Sequence, residues 1–234
     1  WEITHEPEAI TFYLRPNVVF HDGSPFDAAA VKFNIERILD PKTLATPRAS
    51  MTLIDSVDVV DELTVRFNLR SPWGAGLNML ADRGGVMNSP ARVLELAKDY
   101  SWAPAGTGPF KVNKVTTGTM VHLVRNENYW GRDEHGNSLP YLDEVTIRVI
   151  RDETVLSSAL RTGEVDVAYL PKKDVSAFQR DERFQIRTME GGGIGAALIF
   201  NLAQIADPNL RLAISHAVDP SVINQAIFFN RNTM

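Results

Sequence analysis

The sequence predicts a mixed α/β fold, α+β in its first part and alternating strand and helix in its second. Three observations carry this expectation. Paired alternating segments flank short polar turns at 57–69 and again at 109–125, the pattern of β-hairpins. Apolar residues at 31, 35, 38 and 39 recur at the spacing of one helical face. From Val145 onward, strand-like and helix-like stretches alternate, which is the order of crossover units in an α/β sheet.

Element by element, Ile10, Phe12 and Leu14 alternate with Thr11, Tyr13 and Arg15, which places the two sets on opposite faces of a strand. His21-Asp22-Gly23 makes a turn, and Asp27 can cap the following helix through its carboxylate. That helix ends at Asp40-Pro41, because proline disfavours helical geometry in the residue before it. Val57–Val60 and Leu63–Leu69 form a hairpin around Asp61-Glu62, and a helix follows from Pro90 to Lys98. Pro109–Val115 and Met120–Arg125 form a second hairpin around Thr116–Thr119, and 131–140 is a polar loop rich in turn formers. The alternation then reads strand Val145–Ile150, helix Thr154–Arg161, strand Val165–Tyr169, helix Lys172–Arg180 and strand Phe184–Thr188. Gly191–Gly193 breaks the chain before an apolar Ile194–Phe200 strand.

Composition narrows the function classes. With 44% hydrophobic and 23% charged residues the chain can fill a core, and no apolar run approaches the roughly 20 residues of a membrane-spanning helix. The absence of cysteine removes disulfides, thiolate metal sites and a thiol nucleophile together. A net charge of -5, with bases interleaved among acids, disfavours nucleic acid as a partner.

The motifs that suggest chemistry are incomplete. Gly106-Thr107-Gly108 starts like a dinucleotide fingerprint, but Lys111 stands at the third glycine position and Pro109 lacks the N–H a phosphate needs. Gly191-Gly192-Gly193-Ile194-Gly195 lacks the Lys and Ser/Thr of a phosphate loop. The five histidines show no i, i+4 pair, so neither a preformed zinc site nor any cofactor is expected. His21 beside Asp22 reads as a turn-stabilising pair rather than a catalytic dyad, since adjacent side chains diverge. Asp58 with Asp61, and Glu164 with Asp166, read as solvated positions at strand ends, and His216 as a half-buried structural residue on a helix. No nucleophile elbow occurs.

Ordered along the chain are Phe20-His21-Asp22-Gly23-Ser24-Pro25-Phe26, Thr107-Gly108-Pro109-Phe110, Asn126-Glu127-Asn128-Tyr129-Trp130, Pro140-Tyr141-Leu142-Asp143-Glu144-Val145, Gly163-Glu164-Val165-Asp166, Phe200-Asn201 and Arg211–Asp219. In this order the set resembles the family 5 extracellular solute-binding proteins of peptide-type ABC transporters.

The resemblance implies a periplasmic-binding-protein-like class II fold, lobe I with its extra subdomain plus the start of lobe II. The implied divisions are 1–103 as a small α+β subdomain, 104–190 as the α/β main part of lobe I, and 191–234 as the hinge crossing and the beginning of lobe II. Members are typically about twice this length, so the chain is expected to be an internal piece of a larger protein, with sheet edges prone to self-association and weak or no solute binding in isolation.

The implied activity is capture of a peptide-like or other small solute by hinge closure and its delivery to the permease subunits of an ABC importer, without covalent chemistry. The implied location is the periplasm, or the external face of the cytoplasmic membrane as a lipoprotein. Association with the membrane would run only through the permease or a lipid anchor outside this stretch.

Candidate ligand contacts are Asp82 and Arg83, in a glycine-flanked loop, and Trp102 just before Gly106; Tyr169, Leu170, Gly193, Ile194 and Asn201 are candidates at the lobe junction. Trp130 is expected to pack structurally. Two other readings stay open: an α/β hydrolase or metal-dependent enzyme, and a ligand-sensing domain of a signalling protein on the same fold.

Overall fold

The computed structural model describes residues 1–6, 8–187 and 199–229. The chain divides into two units, Trp1–Val149 and Ile150–Met234.

The first unit holds two antiparallel sheets. In the first, β1 (Glu2–His5), β2 (Glu8–Tyr13), β3 (Ile54–Asp61) and β4 (Thr64–Leu69) lie in the order β1-β2-β4-β3. Ile10 pairs with Phe67 and Phe12 with Val65, which places the alternating apolar set on neighbouring strands. The hairpin joining β3 to β4 turns at Glu62-Leu63, one residue later than the pattern suggests, with Asp61 opposite Thr64. Asp61 accepts the Leu63 N–H at 2.8 Å, so this acid fixes the turn. The turn is itself held, its Glu62 and Leu63 carbonyls accepting from Ala28 and Leu14.

Helix α1 (Ala28–Leu39) starts where Asp27, in extended geometry, accepts the Ala30 N–H at 2.8 Å. It stops at Asp40, whose backbone is extended ahead of Pro41. Val31, Ile35 and Ile38 of α1 close on Val57, Val65 and Phe67 of the sheet, with fully buried Met51 and Ile54 completing the core. Phe12 and Phe67 meet with ring centroids 5.1 Å apart. The short helix α2 (Gly76–Leu80) follows Trp73, which packs against this core. Helix α3 (Pro90–Leu96) is capped by Ser89 and runs into a 3-10 turn over Ala97–Trp102, shorter as an α-helix than the expected 90–98.

The second sheet, β5 (Phe110–Thr116), β6 (Met120–Arg125) and β7 (Glu144–Arg148), has the order β5-β6-β7. Gly118 takes φ +67 in the β5–β6 turn, a geometry that glycine supplies without steric cost.

The second unit departs from the expected alternation. Helix α4 (Glu153–Thr162), capped by Asp152, forms as the pattern suggests, and α5 (Val175–Gln179) covers only the middle of the expected 172–180 helix. The strands expected at Val165–Tyr169 and Phe184–Thr188 do not form among the described residues. Val167 and Tyr169 alternate as a strand would, yet they are 88% and 96% exposed, with no ladder to take their backbone groups. Gly163-Glu164-Val165-Asp166 is instead the end of α4: Gly163 is left-handed at φ +75, and the N–H groups of Glu164 and Val165 return to Ala159. Helices α6 (Pro208–Ala217) and α7 (Pro220–Phe228) complete the unit, each with an aspartate cap and proline in its first turn. His216, expected to be half-buried, is exposed in the last turn of α6. Gly191–Gly193 and most of the expected 194–200 strand lie outside the described residues.

Candidate functional site

Asp82 and Arg83 meet at an open cavity of about 340 Å³ in the first unit, lined also by Thr46, Pro47, Ser50, Met51, Met79 and Gly84. Three short pieces make it: the 3-10 turn Thr46–Met51, helix α2, and the 3-10 turn Arg83–Gly85. Met51 is wholly buried and belongs to the core, so one wall is continuous with the hydrophobic interior. A Cβ on Gly84 would lie 2.7 Å from the Met79 carbonyl oxygen and 2.8 Å from the Met51 sulfur, and one on Gly85 would overlap the Leu80 carbonyl. Two glycines thus let the turn carrying Asp82 and Arg83 lie directly on the end of α2.

Both charged side chains are exposed, and among the described residues neither makes a side-chain hydrogen bond or ion pair. An acid and a base are therefore adjacent in sequence, on one cavity, without neutralising each other. Such a pair can take a cationic and an anionic group of one ligand, and the half-buried Met79 offers polarizable apolar contact beside it. Sequence reasoning missed the two methionines and Thr46, Pro47 and Ser50, which carry no signal beyond apolarity or turn propensity.

The motif residues 20–26, 106–110 and 126–130 converge on a different place. The Asp22 carboxylate accepts from the Ser24 N–H at 3.0 Å, the Ser24 hydroxyl at 2.6 Å and the Ser89 hydroxyl at 2.5 Å. Burial pushes this carboxyl up, but the hydrogen bonds from Ser24 and Ser89 outweigh it and hold it below its ordinary value. His21 Nε2 lies 3.0 Å from the Gly108 carbonyl oxygen, and Asn126 Nδ2 donates to the same oxygen at 2.9 Å. His21 and Asp22 thus turn to different partners, the geometry of a structural clamp and not of a dyad.

A second open cavity, about 540 Å³, is lined by Asn17, Val19, Gly23, Glu127, Asn128, Tyr129, Trp130, Arg132 and Ser138. Trp130 packs on Tyr129 with centroids 5.1 Å apart and carries the Arg15 guanidinium 4.5 Å over its ring. It packs, as expected, and also borders a cavity.

Trp102 is 52% exposed at the end of its 3-10 turn and lines neither cavity. Tyr169, Leu170 and Asn201 lie in the second unit, Tyr169 almost fully exposed and Leu170 half-buried. Asn201 organises its own turn, its side chain accepting the Ala203 N–H at 3.1 Å and its carbonyl the N–H groups of Gln204 and Ile205. Gly193 and Ile194 lie outside the described residues. Of the candidates among the described residues, Asp82 and Arg83 alone line one of these two cavities together.

Comparison with known proteins gives the family. The model for the bacterial extracellular solute-binding proteins, family 5 Middle, matches residues 1–233. The glutathione-binding protein GsiB of Pectobacterium atrosepticum is 29% identical over 231 residues, covering 97% of this chain and 44% of that protein. NikZ from Campylobacter jejuni, solved in complex with Ni(L-His), superposes with a TM-score of 0.81 at 26% identity over 98% of this chain and 46% of its own. AgaA of A. tumefaciens R10, solved with agropinic acid, gives a TM-score of 0.70 at 33% identity over 77% of this chain and 36% of its own. The chain thus spans less than half the length of these relatives, and its mixed α/β fold is that of periplasmic binding proteins. By the match over nearly its whole length, the chain belongs to the family 5 bacterial extracellular solute-binding proteins.

Proposed function

We propose that this chain is part of the substrate-binding component of an ABC importer, which captures a peptide-like or other small solute and delivers it to permease subunits. The observation that carries the reading is the unpaired Asp82–Arg83 couple on an open cavity with the half-buried Met79 in its wall. A cavity of this size suits a small molecule with an apolar body and opposite charges. The relatives named above are a glutathione-binding protein and proteins solved in complex with Ni(L-His) and agropinic acid, ligands that carry charged groups on compact frames.

Capture works by differential affinity. A solute that contacts both lobes favours the closed state by the free energy of the contacts the open state lacks. Asp82, Arg83 and Trp102 serve one side of such a cleft; Tyr169, Leu170, Gly193, Ile194 and Asn201 serve the lobe junction. The protein transforms nothing and acts in the periplasm, or on the outer face of the cytoplasmic membrane through a lipid anchor. The division 1–103, 104–190 and 191–234 describes its subdomain, main lobe and entry to the second lobe.

Calorimetric titration of the intact protein with glutathione, a dipeptide and Ni(L-His) tests this. Saturable binding of one of them without turnover supports the reading, and hydrolysis of the peptide probes overturns it.

A further inference from the structure

The His21 imidazole is bonded at both ring nitrogens, and the two partners dictate its protonation. The Gly108 carbonyl oxygen, 3.0 Å from Nε2, can only accept, so Nε2 carries a proton. The Gly106 backbone N–H, 3.3 Å from Nδ1, can only donate, so Nδ1 is bare. The arrangement is satisfied by one of the three states of the ring, the neutral Nε2–H tautomer. The cation would place an Nδ1–H against the Gly106 N–H, donor facing donor.

These bonds join segments far apart in sequence. The 20–26 turn follows β2, whereas Gly106 and Gly108 lead into β5, and the separations are 85 and 87 residues. The His21 N–H donates to the Gly106 carbonyl at 2.8 Å, so ring and backbone grip one glycine from both sides. Gly106 has little else within reach: a Cβ there would meet only the Met87 carbonyl oxygen at 3.8 Å and the His21 ring at 3.9 Å.

We propose that His21 is a proton-operated latch on the segment entering the second sheet: neutral, it ties down the Gly106 amide, and protonated, it expels that amide while keeping its bond to Gly108. The device is independent of solute capture and belongs to the fold of the first unit.

The charged groups facing the ring set the direction of its response. Desolvation disfavours the imidazolium most, the Gly108 carbonyl favours it, Lys111 on β5 repels it, and Asp22 in the same turn attracts it. Asp22 is itself bonded to Ser24 and Ser89 and has Arg92 of α3 nearby, which offsets its pull. The balance lowers the His21 pKa below 6.5. A group with a lowered folded pKa is stabilising above its unfolded pKa, and that contribution disappears as pH falls through the folded pKa. The latch is therefore closed at neutral pH and opens as pH falls through the lowered His21 midpoint.

Nitrogen-15 NMR of the folded chain across this range tests the proposal. The His21 ring is expected as the Nε2–H tautomer at neutral pH with a midpoint below 6.5. Corrected for intrinsic exchange, Gly106 amide protection should fall about fivefold or more with the same midpoint, the loss of roughly one hydrogen bond. The Gly23 amide, bonded to the Phe20 carbonyl within the turn, should not follow. His21→Gln should abolish the pH response of Gly106. An Nδ1–H tautomer, a midpoint at or above 6.5, or Gly106 protection indifferent to the His21 titration would each overturn the latch, whether or not the variant folds.

Discussion

Asn34 holds Asn88 by both backbone groups, its Oδ1 accepting the Asn88 N–H at 3.0 Å and its Nδ2 donating to the Asn88 carbonyl at 2.8 Å. A side-chain amide here replaces a strand partner, and it does so at 1% exposure from the buried face of α1. The same Nδ2 also donates to the Ala30 carbonyl at 2.8 Å. Asn88 is fixed further by the Tyr100 hydroxyl at 2.8 Å, and the next residue, Ser89, caps α3. One buried amide thus connects the first core to the segment that carries the Asp22 cluster.

Asn34→Leu keeps the volume but leaves the Asn88 donor and acceptor without partners. An unsatisfied buried group costs about 1–3 kcal/mol, and with Asn88 half-buried a destabilisation of about 1–3 kcal/mol is expected in urea unfolding. A loss below about 1 kcal/mol would mean that water replaces the amide.

The Gly84-Gly85 turn makes a contrast within a few residues. Gly85→Ala drives a methyl into the Leu80 carbonyl, a backbone atom that cannot move aside, whereas nothing lies within 4 Å of a Cβ on Gly74. Overpacking costs about 1–3 kcal/mol, and the Gly74→Ala change is expected to be neutral or stabilising by about 0.5 kcal/mol. Thermal melts of the two variants side by side check this, and equal shifts would refute the close approach.

Arg83→Ala in the intact protein removes a charge-assisted contact from the proposed ligand cavity. Such contacts are worth about 1.5–3 kcal/mol, so solute affinity should fall about 10- to 100-fold with the melting temperature unchanged. Asp82→Asn should act in the same direction. Calorimetry that finds both affinities intact would remove the pair from the site.

What was legible in the sequence was local. The Asp27 cap, the 31–39 helical face and both hairpins are written within spans of about 15 residues, where period and turn chemistry decide the outcome. The Asp22–Ser89 and His21–Gly108 contacts join residues 67 and 87 apart, so no window could show them. β1 was hidden for another reason: Glu2, Thr4 and His5 give it no alternation, and it forms by pairing with β2. Val165–Tyr169 has the alternation of a strand without forming one, because a strand needs a neighbour and not only a pattern. At Asp82-Arg83 the turn was legible from the glycines that follow it, whereas Met51, on the same cavity, reads only as core.

The loop before β7 offers a pH test at a single carboxylate. Asp133 accepts hydrogen bonds from the Tyr141 hydroxyl, the Asn137 side chain and the backbone N–H groups of His135 and Asn137. Tyr141 contributes most, then the Asn137 side chain, and together the donors hold the Asp133 pKa at about 2. Because the folded value is depressed, the loop gains from this group above its ordinary carboxylate pKa and loses that gain only as pH falls toward 2. Tyr141 shows the reciprocal effect: donating to a carboxylate favours the protonated phenol and raises its pKa above 10.0. Its contribution is present at neutral pH and is lost as pH rises through that raised value. Asp133→Asn removes the anion, so the Tyr141 midpoint, followed by NMR on ring-labelled tyrosine, should fall back toward 10.0. A Tyr141 midpoint that stays put in the variant would refute the Asp133 bond as the cause of the rise.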